Sequence, residues 1–388
     1  MRYYLFVIVV AATVTYLLTP AVRLLAVRVG AITAVRARDV HTVPTPRLGG
    51  VAMYAGIVAA VLMVSHTTFL QERVFESKSP EMVGILGGAG LVCALGVLDD
   101  VYDLDWLTKL LGQILAAGFM TSQGVLLYQL PVAGTTVAST QTLAVVTVVV
   151  MVVGMNAVNF VDGLDGLAAG VLAIGGAAFF AYVYLLVKET NPTSYADIGA
   201  LVIAALVGVC LGFLPHNLSP ARIFMGDSGA LMLGFVFSAA AIVVTGNLDP
   251  GAVNERMSFP AVVPILLPVA VLLLPLLDMT MAVVRRVGRG RSPFHADRRH
   301  LHHRLLQLGH TERRAVAIMY VWTAVFAFGV AALVLWSTTR VLIGLGVGVV
   351  VATLLTIGPL RGRAATETTT VTTAGPTTEP TTKTEIPR

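Results

Sequence analysis

The chain has 388 residues, 56% of them hydrophobic and only 12% charged, where an ordinary soluble domain is about a quarter charged. That balance excludes a soluble globular enzyme or a nucleic-acid-binding domain and points to a chain built for the bilayer. The net charge of +5 says little as a sum, because in a membrane protein it is the distribution of basic residues that carries information.

Apolar runs of about 17–25 residues, the length that crosses roughly 30 Å of hydrocarbon, number about eleven: 3–18, 48–64, 82–98, 107–127, 143–155, 167–187, 198–214, 230–245, 262–284, 317–335 and 341–357. Lipid leaves open sheet edges unsatisfied, so the expected fold is all-α, a polytopic bundle of about eleven transmembrane helices. The first run has only Arg2 ahead of it and no small-residue cleavage site, so it reads as a retained span and not a signal peptide. Cys93 and Cys210 both lie inside apolar runs and suggest neither a disulfide framework nor a thiolate metal site.

Arginines fill the first loop (Arg23, Arg28, Arg36, Arg38, Arg47) and the ninth (from Arg285 and Arg286 to Arg313 and Arg314). By the positive-inside rule both are cytoplasmic, which places the N-terminus outside and the C-terminus inside. Every polar cluster with chemical character then falls on the cytoplasmic face. Residues 1–363 form the multi-span domain, and the Thr/Pro-rich stretch 364–388 reads as a disordered tail that cannot bury enough apolar surface to order itself.

In chain order, the first cluster is Thr45 to Gly50, TPRLGG, where Arg47 offers a bidentate phosphate fork and Gly49 and Gly50 permit close approach. A helix-entry loop with a positive-inside arginine explains it equally. The second, GVLDDVYDLDWLTK, sets Asp99 and Asp100 side by side at the end of a span, with Lys109 beyond. Paired acids there suit either a hard cation, which prefers oxygen ligands, or deprotonation of an attacking group.

The third cluster, NAVNFVDGLDGLAAG at 156–170, places Asp162 and Asp165 with Asn156 and Asn159 between two apolar runs. An acid at mid-bilayer costs about 2.5–3.5 kcal/mol on insertion scales, so acids between spans mark a solvated loop or a site, and the glycines favour the site. In the fourth, RIFMGDSG, Asp227 or Ser228 reads as an N-cap, or Asp227 as one more acid on a face already holding Asp99, Asp100, Asp162 and Asp165. So many carboxylates repel unless a cation sits among them. The fifth, HADRRHLHHR, carries His300, His302 and His303 amid arginines. It lacks the Cys or Glu spacing of a zinc site and suits a polyphosphate, or a merely basic membrane surface.

Taken together, GVLDDVYDLDW, NAVNFVDGLDGLAAG, RIFMGDSGALMLGF and DRRHLHHRL, in this order on alternate loops, resemble the polyprenyl-phosphate N-acetylhexosamine-1-phosphate transferase superfamily, and within it the WecA and TagO type. The resemblance covers roughly 3–357. It implies a bacterial cell-membrane enzyme, a homodimer being allowed, that joins UDP-GlcNAc to polyprenyl phosphate and releases UMP at the start of cell-envelope polymer synthesis, with Mg²⁺ or alternatively Mn²⁺. On that pattern Asp227 and Asn159 match the metal positions, and Asp99 and Asp100 the acid pair, with Asp99 helping to deprotonate the lipid phosphate. Gly163, Leu164 and Asp165 match the uridine pocket, with Phe224 stacking on uracil. Lys109, His300 and His302 match groups that hold pyrophosphate and sugar. Direct attack is favoured over a covalent aspartyl intermediate. The MraY type, which takes UDP-MurNAc-pentapeptide, usually carries Thr-Pro-Thr-Met-Gly-Gly and a triple His, and both matching runs depart from that here. A transporter, the reading from another class, predicts mid-span acids and an internal repeat; this chain places its acids at span ends and shows no repeat.

Overall fold

The fold is seen in a computed structural model that describes residues 1–33, 44–66, 79–127, 130–131, 135–136, 139–190, 196–246, 263–288, 290 and 301–357. In chain order the helices are α1 (Arg2–Val29), α2 (Gly49–Ser65), α3 (Ser79–Tyr102), α4 (Trp106–Ser122), α5 (Thr140–Val161), α6 (Leu167–Thr190), α7 (Ala196–Asn217), α8 (Gly226–Gly246), α9 (Val263–Val271), α10 (Leu273–Val287), α11 (Leu301–Gln307), α12 (Glu312–Ala331) and α13 (Thr338–Ile357). Two small antiparallel ribbons occupy connections, β1 (Ile32–Thr33) with β2 (Thr45–Pro46) and β3 (Leu130–Pro131) with β4 (Thr135–Thr136).

Among the described residues eight helices, α1, α3, α5, α6, α7, α8, α12 and α13, are long and apolar enough to cross a membrane. The protein is an all-α, polytopic membrane protein. The three other expected spans coincide with shorter helices: α2, α4, and the pair α9 and α10. The break between α9 and α10 has a chemical cause. Pro275 has no N–H to donate back to Val271, so the helical ladder cannot run through.

α8 is the centre of the bundle. It packs against α2, α3, α5, α7 and α9, and every one of its residues except Asp227 is buried. A helix apolar on all sides must be surrounded. Its neighbours reach it through small residues, as helices in lipid do when packing and not water exclusion drives association. A Cβ at Gly50 of α2 would overlap the backbone nitrogen of Gly229, and one at Gly96 of α3 the backbone of Ser228. By contrast α13 exposes Leu342, Ile343, Val347, Val350 and Leu354, a face suited to lipid.

Gly50 therefore supports a prediction. Gly50→Ala forces α2 off backbone that has no flexible end to move, an overpacking cost of about 1–3 kcal/mol, and should lower the thermal transition of the detergent-solubilised protein and its transfer rate. Gly118→Ala on α4, where an added Cβ meets nothing, should be neutral. A Gly50→Ala protein that melts with its parent removes the argument.

Candidate active site

Three connections of the bundle meet around the first turn of α8. α3 carries Asp99 and Asp100 in its last turn and ends at Tyr102, α4 begins four residues later, and Asp105 starts it by accepting from the backbone N–H groups of Leu107 and Thr108 at 2.9 and 3.1 Å. The Thr108 hydroxyl beside it holds the Asp105 carboxyl below the usual carboxylate range. This capped start directs Lys109 inward. Its Nζ lies 2.6 Å from Asp99 Oδ2 and 2.8 Å from Asp227 Oδ2. Asn159, near the end of α5, donates Nδ2 to Asp227 Oδ1 at 3.1 Å. Asp99 Oδ1 in turn accepts from Leu104 N at 2.9 Å. Two carboxylates, one ammonium and one amide thus form a linked set at the end of an apolar bundle, with Asp99 buried and Lys109 and Asp227 partly open.

Asp100 turns the other way. Its Oδ1 accepts from Asp227 N at 3.0 Å and its Oδ2 from Ser228 N at 3.1 Å. The capping expected of Asp227 or Ser228 is instead supplied from α3; the Ser228 hydroxyl points back to the Met225 carbonyl.

The TPRLGG stretch is stitched to RIFMGDSG through backbone. Phe224 N donates to Pro46 O at 2.8 Å, and Gly49 N and Gly50 N donate to the carbonyls of Phe224 and Met225 at 3.0 Å each. Half-buried Arg47 and Phe224 thereby flank the Asp227 turn. Asp162, the residue closing α5, feels Arg47, Asp100 and Asp227. Burial first, then the negative charges of Asp227 and Asp100, push its carboxyl up to about 7, against a lowering pull from Arg47.

The 163–166 turn is held by a second set of contacts. Asp165 is buried and its Oδ2 accepts from Ala221 N at 2.9 Å. Asn217 Oδ1 accepts from Gly166 N at 3.1 Å while its Nδ2 donates to Ile223 O at 2.9 Å. Tyr320 of α12 donates to Gly166 O at 2.5 Å. Gly163 is exposed and Leu164 buried. The structure thus gathers Asp99, Lys109, Asn159 and Asp227, sets Asp100 behind them, and places Asp165 in the seam between two loops. His300 lies outside the described residues, and His302 and His303 are described only as positions on α11.

Sequence reasoning passed over three residues. Gln113, one turn beyond Lys109 and buried, accepts from Asn156 Nδ2 at 2.6 Å. This pair joins α4 to α5 one turn below Lys109 and Asn159. Asn217 and Tyr320 brace the 163–166 turn. A lone amide inside an apolar run is the available signal, since polar groups within spans seek partners.

Among the described residues no three His, Cys, Asp or Glu side chains form a metal cage. Mg²⁺ needs none: it is usually held by one or two carboxylates plus waters and substrate phosphates. Asp227 with the Asn159 amide fits that habit, and the Lys109 ammonium between Asp99 and Asp227 shows that the pocket accepts positive charge.

Residues 82–245 match the family described as glycosyl transferase family 4. Over 91% of its length the chain is 42% identical to the decaprenyl-phosphate N-acetylglucosaminephosphotransferase of Mycolicibacterium smegmatis, covering 87% of that protein. It is 41% identical to the protein of the same name from Mycobacterium tuberculosis, with 91% and 88% covered. To the phospho-N-acetylmuramoyl-pentapeptide-transferase of Desulforudis audaxviator it is 32% identical over 54% of its length and 66% of the relative's.

Proposed function

The chain belongs to the polyprenyl-phosphate N-acetylglucosaminephosphotransferases of glycosyl transferase family 4, and on that premise we propose how its buried acids carry out the transfer. It moves GlcNAc-1-phosphate onto polyprenyl phosphate, a phosphoglycosyl transfer in a bacterial membrane. We take UDP-GlcNAc as the donor and UMP as the second product. The observation that carries this reading is the Asp99–Lys109–Asp227–Asn159 set, because ionised groups at the end of apolar helices are retained where they handle charged substrates.

In this reading Asp227 and Asn159 hold Mg²⁺, with Mn²⁺ as a substitute. When bound, the ion stabilises negative charge on the departing phosphate. Asp99 accepts a proton from the lipid phosphate as it attacks directly. Lys109 supplies a fixed positive charge to the donor pyrophosphate, and Arg47 and the histidines His300, His302 and His303 add cationic donors to phosphate and sugar. Phe224 stacks on uracil, and Gly163, Leu164 and Asp165 wall the uridine, Asp165 through the loop it braces. With about eleven spans taken from hydropathy, the arginine-rich first and ninth loops support an outside N-terminus and a cytoplasmic site.

The purified protein with labelled UDP-GlcNAc, polyprenyl phosphate and Mg²⁺ should release UMP and yield a lipid-soluble sugar, and UDP-MurNAc-pentapeptide should give none. Product from the pentapeptide donor alone, or substrate moved across vesicles without lipid product, overturns the assignment.

Asp162 adds a pH test. Its carboxyl titrates near pH 7, so as pH rises through about 7 it gains negative charge beside Asp227. Mn²⁺ affinity of the parent should therefore climb across that window, and Asp162→Asn should flatten the climb while binding UMP at pH 7 as the parent does. A rise of equal size in Asp162→Asn assigns the titration elsewhere.

A further inference from the structure

Asp99 and Asp100 are neighbours in sequence, but about 100° apart around a helix, and they meet different partners. Asp99 faces Lys109. Asp100 places one oxygen on Asp227 N and the other on Ser228 N. With α8 starting at Gly226, these are the second and third N–H groups of the helix, the ones an N-cap side chain normally serves. The residue in the capping position is Met225, which has no oxygen to offer. α3 supplies the missing acceptor from across the interface, and its negative charge also suits the positive end of the α8 dipole.

The surroundings are shaped for this contact. Gly226 has φ +69°, in the left-handed region, and a Cβ there would overlap the Asp100 carboxylate. Gly96, one turn back from Asp100 on α3, lies so close to Ser228 that it too has no room for a Cβ. Two glycines thus bring the Asp100 carboxylate onto the backbone of the α8 first turn, and both of its oxygens are engaged there.

We infer that Asp100 is a positioning residue: it fixes the first turn of α8 and so holds the Asp227 carboxylate between Lys109 and Asn159. This rests on the reading of Asp227 as the cation-holding acid. It separates the two acids of the pair, leaving proton transfer to Asp99 and geometry to Asp100.

Asp100→Asn keeps one acceptor for the turn, whereas Asp100→Ala keeps none. Expected results are a kcat for Asp100→Asn within about tenfold of the parent, with unchanged KM values and an unchanged pH–rate profile, and a kcat for Asp100→Ala about a hundredfold lower, in the range seen when a buried polar network loses a member. Mn²⁺ binding, followed by electron paramagnetic resonance without substrates, should weaken about tenfold in Asp100→Ala and little in Asp100→Asn. The inference is overturned if Asp100→Asn is as inert as Asp100→Ala while binding Mn²⁺ like the parent, since Asp100 would then act in the chemistry. Asp227→Asn serves as the separate control: if it binds Mn²⁺ normally, the reading of Asp227 fails, while the contrast between the two Asp100 variants is still measured on kcat.

Discussion

Asp227→Asn should lower GlcNAc-1-phosphate transfer by about 10³-fold or more, the scale of losing a charge aimed at a developing transition-state charge, with no comparable loss of folded protein. The asymmetry comes from where the residue sits. Its backbone N–H, not its side chain, receives the Asp100 cap, so the start of α8 survives the substitution. Its side chain is the only one on that helix left partly open, and both of its oxygens face the site, one towards Lys109 and one towards Asn159. Asn keeps the volume and removes the charge, leaving Lys109 to Asp99 alone and Asn159 facing another amide. Initial rates and Mn²⁺ binding should fall together while the thermal transition stays within a few degrees. A variant that keeps a tenth of the parental rate would mean that Asp227 does not hold the cation.

That residue was legible in the sequence, and the reason is physical. In an apolar chain an acid is expensive, so Asp99, Asp100, Asp162, Asp165 and Asp227 stand out against their runs, and alternate loops of a multi-span helical chain must lie on one face. Which acid does what was not legible. Asp99 and Asp100 are adjacent, about 100° apart around the helix, and nothing local says that one meets an ammonium and the other two backbone N–H groups. Asp165 looks as exposed as Asp162 in DGLDG, yet it is buried against Ala221 because a loop more than fifty residues away folds over it. Gln113 and Asn217 carry no charge, so their only signal is that of a lone amide in an apolar run, weaker than that of an acid, although each ties a site element in place. Spans were readable from hydropathy wherever one helix runs unbroken. Hydropathy alone does not register the missing N–H of Pro275, and one expected span became two helices.

Lys109→Met should separate catalysis from cation binding, moving them in opposite directions. The ammonium sits 2.6 Å from Asp99 and 2.8 Å from Asp227, so it both neutralises the two carboxylates and competes with any divalent ion for them. A unit positive charge about 5 Å from a divalent ion costs roughly 7 kcal/mol at an effective dielectric of about 20 and about 1.7 kcal/mol at that of bulk water. Screening of the partly exposed side chain brings the cost close to the lower figure, roughly tenfold in affinity. Mn²⁺ should therefore bind Lys109→Met at least as tightly as the parent and by up to about tenfold more. Turnover should fall by about 10²- to 10³-fold, because the fixed positive charge that meets the donor pyrophosphate is gone. Lys109→Arg should recover little, since a planar fork cannot take the place of a point charge shared by two carboxylates. If Lys109 were only a strut between α4 and α8, its loss would weaken Mn²⁺ binding, turnover and thermal stability together. Rates and Mn²⁺ titrations on the same preparation decide between these, and turnover within threefold of the parent would remove Lys109 from the transfer step.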